Sequence, residues 1–207
     1  LRDKPKMDEG VYRRSIKGFG YYHGFNQILS LTEYNPRSIY FYFNELITKM
    51  QNNVPSNVAQ NAAIRQNVDR FRAFVATQSI PFAKSQSKLK NTLNVVDRLG
   101  TNLSLNLFDA KFKPEPALSF IFRDIDIPTQ AILGIAINAG ALVPEQPSED
   151  THLVFDVTNC RLRISHRLAP FYPLPTITAK PKVLKRIPNS NGDLDMQPDL
   201  LSYRSKE

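Results

Sequence analysis

Tryptophan is absent from this 207-residue chain, and cysteine occurs once, at Cys160. A disulfide framework and a multi-cysteine zinc site are therefore excluded within it. The lone thiol fits a reducing, cytoplasmic setting. Cys160 falls in an expected strand and reads as a packing residue rather than a reactive thiol. No apolar run approaches the roughly 18 residues that cross a bilayer. The three histidines, His23, His152 and His166, lie far apart and lack carboxylates at ligand spacing, so no metal site is expected. Ser30, Ser104 and Ser119 have no flanking elbow glycines, which removes the basis for nucleophilic catalysis. Asp8-Glu9 and Glu149-Asp150 fall in polar stretches and read as solvated. A G-x-x-x-x-G-K-[ST] stretch is missing, and with it a phosphate-cradling loop. So is an apolar strand ending in paired acids that would hold magnesium.

Charge of one sign dominates what is present. The formal net charge is +8 and the sequence pI about 9.6, a balance that favours acidic partners, nucleic acid foremost. The bland alternative is charge that serves solubility. The cations are unevenly spread. From Ile125 to Cys160 there is no Lys or Arg, while Asp126, Glu145, Glu149, Asp150 and Asp156 all occur there.

Apolar periodicity predicts most elements. A short helix is expected over 24–33. A second is opened by Asn35 as N-cap and Pro36 at the first helical position, with Ile39, Tyr40, Phe43, Leu46, Ile47 and Met50 on one face. In residues 57–78, Ile64, Val68, Phe71 and Val75 recur four, three and four apart. Residues 88–99 predict another helix that stops at Gly100. The run 103–108 reads equally as strand or helix end. Residues 118–122 predict a strand. Asp124 and Asp126 read as turn and cap residues for a helix over 128–139, closed by Gly140 and apolar nearly all round, hence buried on most sides. Ala141 to Val143 lead into a loop over 144–151. Strands are expected over 152–157 and 160–165. Residues 173–207, with five prolines among Lys180, Lys182, Lys185 and Arg186, read as an extended, partly mobile tail.

Arg37 stands in the first turn of the Asn35-Pro36 helix, where the helix dipole does not favour a cation. It is either an ordinary solvated arginine or one with a task or an acidic neighbour. The run Tyr22-His23-Gly24-Phe25…Ile28-Leu29…Leu31…Asn35-Pro36-Arg37…Ile39 resembles the lid region of AAA+ ATPases, nearest a bacterial branch similar to the origin-recognition ATPases. A second patch, Arg161-Leu162-Arg163-Ile164-Ser165-His166-Arg167-Leu168-Ala169-Pro170-Phe171-Tyr172-Pro173-Leu174-Pro175, resembles the closing strand and "LAP-x-[YF]-x-LP" tail of the same proteins. Between the patches only the layout is similar.

The resemblance implies a mostly α fold with a small β component: linker and AAA+-type helical lid over 1–84, a winged-helix-like α+β domain over 85–175 and a basic, proline-bearing tail over 176–207. It implies that Arg37, set by Asn35, senses the γ-phosphate of ATP. It also implies a nucleotide-binding domain upstream that would bind ATP and magnesium; position 1 being Leu rather than Met fits such a fragment. The state of the nucleotide would pass to DNA, a partner protein or a second copy of the chain. Groove reading by the 128–139 helix is disfavoured, because only Gln130 and Asn138 suit base edges there. DNA contact is instead expected to be non-specific, through Arg161, Arg163, Arg167, Lys180, Lys182, Lys185 and Arg186. A non-catalytic interaction module and a free-standing basic DNA-binding domain remain as alternatives.

Overall fold

The computed structural model describes residues 19–50, 55–80, 91–108, 117–145, 157–158, 160–177 and 179–188. A 3-10 turn, Phe19–Tyr22, leads into α1 (Phe25–Leu31) and α2 (Pro36–Lys49). Two longer helices follow, α3 (Asn57–Thr77) and α4 (Thr92–Leu107). Then come β1 (Ser119–Phe122), α5 (Ile127–Asn138), β2 (Leu142–Pro144), β3 (Arg161–Ile164), a 3-10 turn at His166–Leu168, and β4 (Pro181–Leu184). The fold is mostly helical with a small mixed sheet, as expected.

Each long helix begins at a side-chain cap. Asn35 accepts from the N–H groups of Arg37 (3.0 Å) and Ser38 (3.2 Å). Ser56 accepts from Ala59 N–H, and Asp126 from Thr129 N–H. Asn91 and Asn94 cap α4 reciprocally. Such caps satisfy donors that have no partner within the helix. The predicted stripe of α3 is the buried one: Ile64, Val68, Phe71 and Val75 are all 5% exposed or less. Val95, Val96, Leu99 and Leu103 of α4 meet it, with Phe120 and Phe122 of β1, Ile132 and Leu133 of α5, and Leu162 of β3. The hairpin of α1 and α2 and the α+β part thus share one core.

The sheet order is β2-β3-β1-β4. Antiparallel pairing sets Phe120 opposite Leu162 and Leu142 opposite Ile164, whereas β4 runs parallel to β1 with Phe120 opposite Lys182. Several expectations change here. β4 lies inside the stretch read as a tail, and Leu184 and Ile187 are buried; proline and lysine content masked a short strand whose apolar residues join the core. Residues 142–144, read as the lead-in to a loop, form β2. The strand expected at 152–157 lies outside the described residues except for Val157. α5 buries chiefly one side, through Thr129, Ile132, Leu133 and Ala136, while Ile127 is 79% exposed. Its Gln130 is used locally, donating to Ile125 C=O.

α4 does not stop at Gly100; it runs about two turns further, to Leu107. The glycine is there for space. A Cβ at this position would lie 2.6 Å from the ring carbons of Tyr172. Tyr172 is held from the other side: its hydroxyl donates to Asp97 and accepts from Arg72 (3.2 Å), and Arg72 pairs with Asp97 at 2.7 Å and lies over the Phe171 ring. The aromatic pair of the LAP-x-[YF]-x-LP patch is thereby locked between α3 and α4.

Gly100→Ala should therefore destabilise the fold although alanine is the better helix former by about 1 kcal/mol. Displacing a packed ring costs about 1–3 kcal/mol. Urea unfolding monitored by circular dichroism should show a lower midpoint, and a raised midpoint would mean that Tyr172 gives way freely.

Candidate functional site

The turn between α1 and α2 is built against the usual residue preferences. After α1 the Glu33 N–H bonds to Ser30 C=O (3.0 Å) and the Tyr34 N–H to Leu29 C=O (3.1 Å). These are the two closing bonds of a Schellman motif, which places the residue after the cap in the left-handed region. α5 ends in the same motif, with Gly140 at that position (φ 68°). At the end of α1 the position holds Glu33, at φ 53°, and Tyr34 follows at φ 55°. Each non-glycine residue there is strained by about 1–2 kcal/mol.

The Glu33 side chain explains the choice. Its carboxylate accepts two parallel bonds from the Arg163 guanidinium, both 2.7 Å, and further bonds from Ser165 Oγ (3.2 Å) and the His166 N–H (2.6 Å). Both side chains are largely buried, 22% exposed for Glu33 and 16% for Arg163. Burial pushes the Glu33 carboxyl up, but the hydrogen bonds and charge of Arg163 and the His166 N–H outweigh it and hold the group below its ordinary value. Burial also lowers the His166 imidazole, with the Arg163 charge acting in the same direction. The Asn35-Pro36-Arg37 corner thus begins two residues after a four-bonded carboxylate anchored on β3.

From this corner Arg37 projects outward, exposed, with its guanidinium 5.8 Å from the Phe41 ring centroid. It lines an open groove of about 650 Å³ that also carries Asn35, Asn44, Arg70, Phe74 and Arg167. Arg70 pairs with the nearly buried Glu45 at 2.7 Å. Arg167 reaches in from the turn after β3 and stacks on Phe71, 3.6 Å from its centroid. Sequence periodicity could not have joined Arg167 to Arg37; they are brought together only because the turn after β3 packs against α3. The signal that was available lay in the two patches that carry the resemblance, which meet at this groove.

The other basic candidates divide in two. Arg161 pairs with Glu145, and donates to Ser119 Oγ (3.0 Å) and the Ala179 carbonyl. With Arg163 on Glu33, the arginines of β3 are engaged inside the molecule. The DNA contact expected of them would need their face of the strand open, but the α1–α2 turn and Glu145 pair with it. Lys182 of β4 donates to Asn102 of α4 (3.0 Å), and Lys185 lies 3.6 Å from Asp124 with both side chains about three-quarters exposed. Lys180 is exposed and Arg186 half-buried. Among the described residues no three His, Cys, Asp or Glu side chains stand close enough to hold a metal ion. None of the described helices is long and apolar enough to cross a membrane.

Replacing Glu33 by Gln should destabilise the protein by about 2–3 kcal/mol at pH 7, because Arg163 is left largely buried without its counter-charge. The pH dependence follows from the lowered carboxyl. Its contribution is complete above the unfolded-chain value of about 4.3 and fades as pH falls through the lower folded value. Stability of Glu33→Gln should approach that of the parent chain on acidification below about pH 4. A constant gap in unfolding free energy from pH 7 to pH 3 would contradict this.

Comparison with curated proteins and with solved structures finds no match. A family model does match: ORC-CDC6-like, over residues 6–184. That span takes in both patches, the Asn35-Pro36-Arg37 corner, the Glu33–Arg163 clamp and the strand β4. The chain belongs to the ORC-CDC6-like family, the origin-recognition type of AAA+ ATPase.

Proposed function

We propose that this chain is the nucleotide-responsive lid and following winged-helix-like domain of an AAA+ ATPase, with Arg37 reading the phosphates of bound ATP and the clamp at Glu33 passing that state to the sheet. The observation that carries the reading is the position of Arg37: exposed, in the first turn of a capped helix, on a corner anchored by four hydrogen bonds to β3 and the turn after it. A guanidinium held this way presents its in-plane N–H fork to phosphate oxygens. The donor set of the groove suits ATP but not its metal. Among the described residues three guanidiniums line it, and the one carboxylate, Glu45, is tied to Arg70. The magnesium that accompanies ATP would be held by the nucleotide-binding part of the ATPase. ATP supplies the phosphoryl group; this chain's residues orient it and neutralise charge on its oxygens.

In the ATPase assembled with its nucleotide-binding domain, Arg37→Ala should lower turnover by up to about 10³, the low end of the range of about 10³–10⁵ that an arginine clamping a transferring phosphoryl group is worth. The melting temperature should stay unchanged, because Arg37 has only the loose Phe41 contact to lose. Unchanged turnover at saturating ATP would overturn the reading.

Coupling to DNA is the downstream half of the proposal. With the arginines of β3 engaged internally, phosphate contact falls to Lys180, Lys182, Lys185 and Arg186 around β4. Binding there should be weak and sequence-independent. Changing Lys185 and Arg186 together to Gln should reduce the log–log salt slope by about 2. Anisotropy titrations on several duplexes at two salt concentrations would show it; one strongly preferred duplex would count against it.

A further inference from the structure

Arg37 is exposed, whereas Arg167 is the half-buried cation of the groove that has no counter-charge among the described residues. Its backbone N–H donates to Ser165 Oγ, and its guanidinium plane covers Phe71. No hydrogen bond or ion pair joins that guanidinium to a carboxylate or carbonyl of the described residues. The other arginines of this region are differently placed: Arg163 has Glu33, Arg161 has Glu145, Arg72 has Asp97 and Arg70 has Glu45. Arg167 is also the costlier charge to leave so. Burial lowers it below its ordinary value, with the charge of Glu33 opposing. Stacking on a ring occupies the face of a guanidinium and leaves its edge donors free. Sharing Ser38, Asn67 and Arg167 with the groove is a cavity of about 30 Å³ whose remaining lining is mostly apolar and includes Tyr42. Tyr42 is 2% exposed and its hydroxyl has no hydrogen-bond partner among the described residues; burial pushes that hydroxyl up to about 12. The groove carries three cations against one carboxylate among its described lining residues, Glu45, which Arg70 already occupies.

We propose that Arg167 is a second phosphate-binding residue of this groove, gripping a polyphosphate together with Arg37 from the opposite wall. That the anion is the phosphate chain of a nucleotide rests on the reading of Arg37 given above; that an anion binds does not. The consequence is direct contact between the ligand and the turn after β3. Arg167 stands one residue beyond His166, whose N–H holds Glu33, so the same short turn would touch both the ligand and the clamp.

The test is calorimetric titration of inorganic tripolyphosphate into this chain at low salt, with melting temperatures measured alongside. The parent chain should bind one tripolyphosphate saturably. Arg167→Gln and Arg167→Lys should each weaken binding by about tenfold or more, the second because an ammonium keeps the charge and loses the fork. Arg167→Lys keeps the stem over Phe71 and guards against a failure of the Gln variant to fold. Arg65→Gln, on α3 outside the groove, should bind as the parent does. Excess duplex DNA should not displace the tripolyphosphate. The proposal is overturned by unsaturable binding, by parent-like binding in Arg167→Lys, by an equal loss in Arg65→Gln, or by displacement with duplex. If Arg37→Ala leaves turnover intact while the Arg167 variants lose tripolyphosphate, the ATP reading fails and the anion groove stands. The opposite pattern removes only Arg167.

Discussion

A single carboxylate, that of Glu33, holds the corner on which the groove is built. Four donors converge on it, all from the segment Arg163–His166 and two of them from one guanidinium. The backbone at Glu33 and Tyr34 adopts a conformation that ordinarily favours glycine. A glycine would relieve that strain, as Gly140 does at the end of α5, but it would leave Arg163 buried without a counter-charge. Strain of this kind persists where surrounding bonds over-determine it. Here they do, and the result is a rigid corner that begins α2 and aims Arg37.

The same arrangement ties the helical hairpin to the sheet. Tyr22 at the start of the hairpin donates to the Leu174 carbonyl (2.7 Å), Arg72 of α3 grips Asp97 of α4 and Tyr172, and Arg167 lies on Phe71. These contacts join the start of the hairpin, α3 and α4 to the segment that follows β3. A displacement of the Arg37 corner therefore cannot be absorbed in the α1–α2 turn alone; it must reach β3 through the carboxylate. That would be a physical basis for the proposed coupling between a nucleotide and a distant surface, since packed and ion-paired elements shift as units rather than deforming smoothly.

Much of the helical frame was legible in the chain. Asn35 and Pro36 announce the start of α2, and the four-three-four spacing of Ile64, Val68, Phe71 and Val75 names the buried face of α3. What was hidden depended on contacts between residues far apart in sequence. Gly100 reads locally as a helix stop, yet its reason is the ring of Tyr172. Pro181 to Leu184 read as tail by composition, yet they complete the sheet beside β1. The pattern Arg161-Leu162-Arg163-Ile164 correctly marks a strand with one buried face. It could not show that the other face is covered too, by a carboxylate 130 residues earlier. Of the candidate site, the corner was visible and the opposite wall was not, because Arg70 and Arg167 look like any solvated cation until α3 and the turn after β3 are placed.

The account rests on Glu33 and Arg163 acting as one unit, and a double-mutant cycle measures that directly. Unfolding free energies of the parent chain, Glu33→Gln, Arg163→Met and the double variant would be compared at pH 7 and moderate salt. A coupling energy of about 1.5 kcal/mol or more is predicted, with the double variant less destabilised than the sum of the singles. Additivity to within about 0.5 kcal/mol would show two independent residues, and the corner that aims Arg37 would then have to be held by something else.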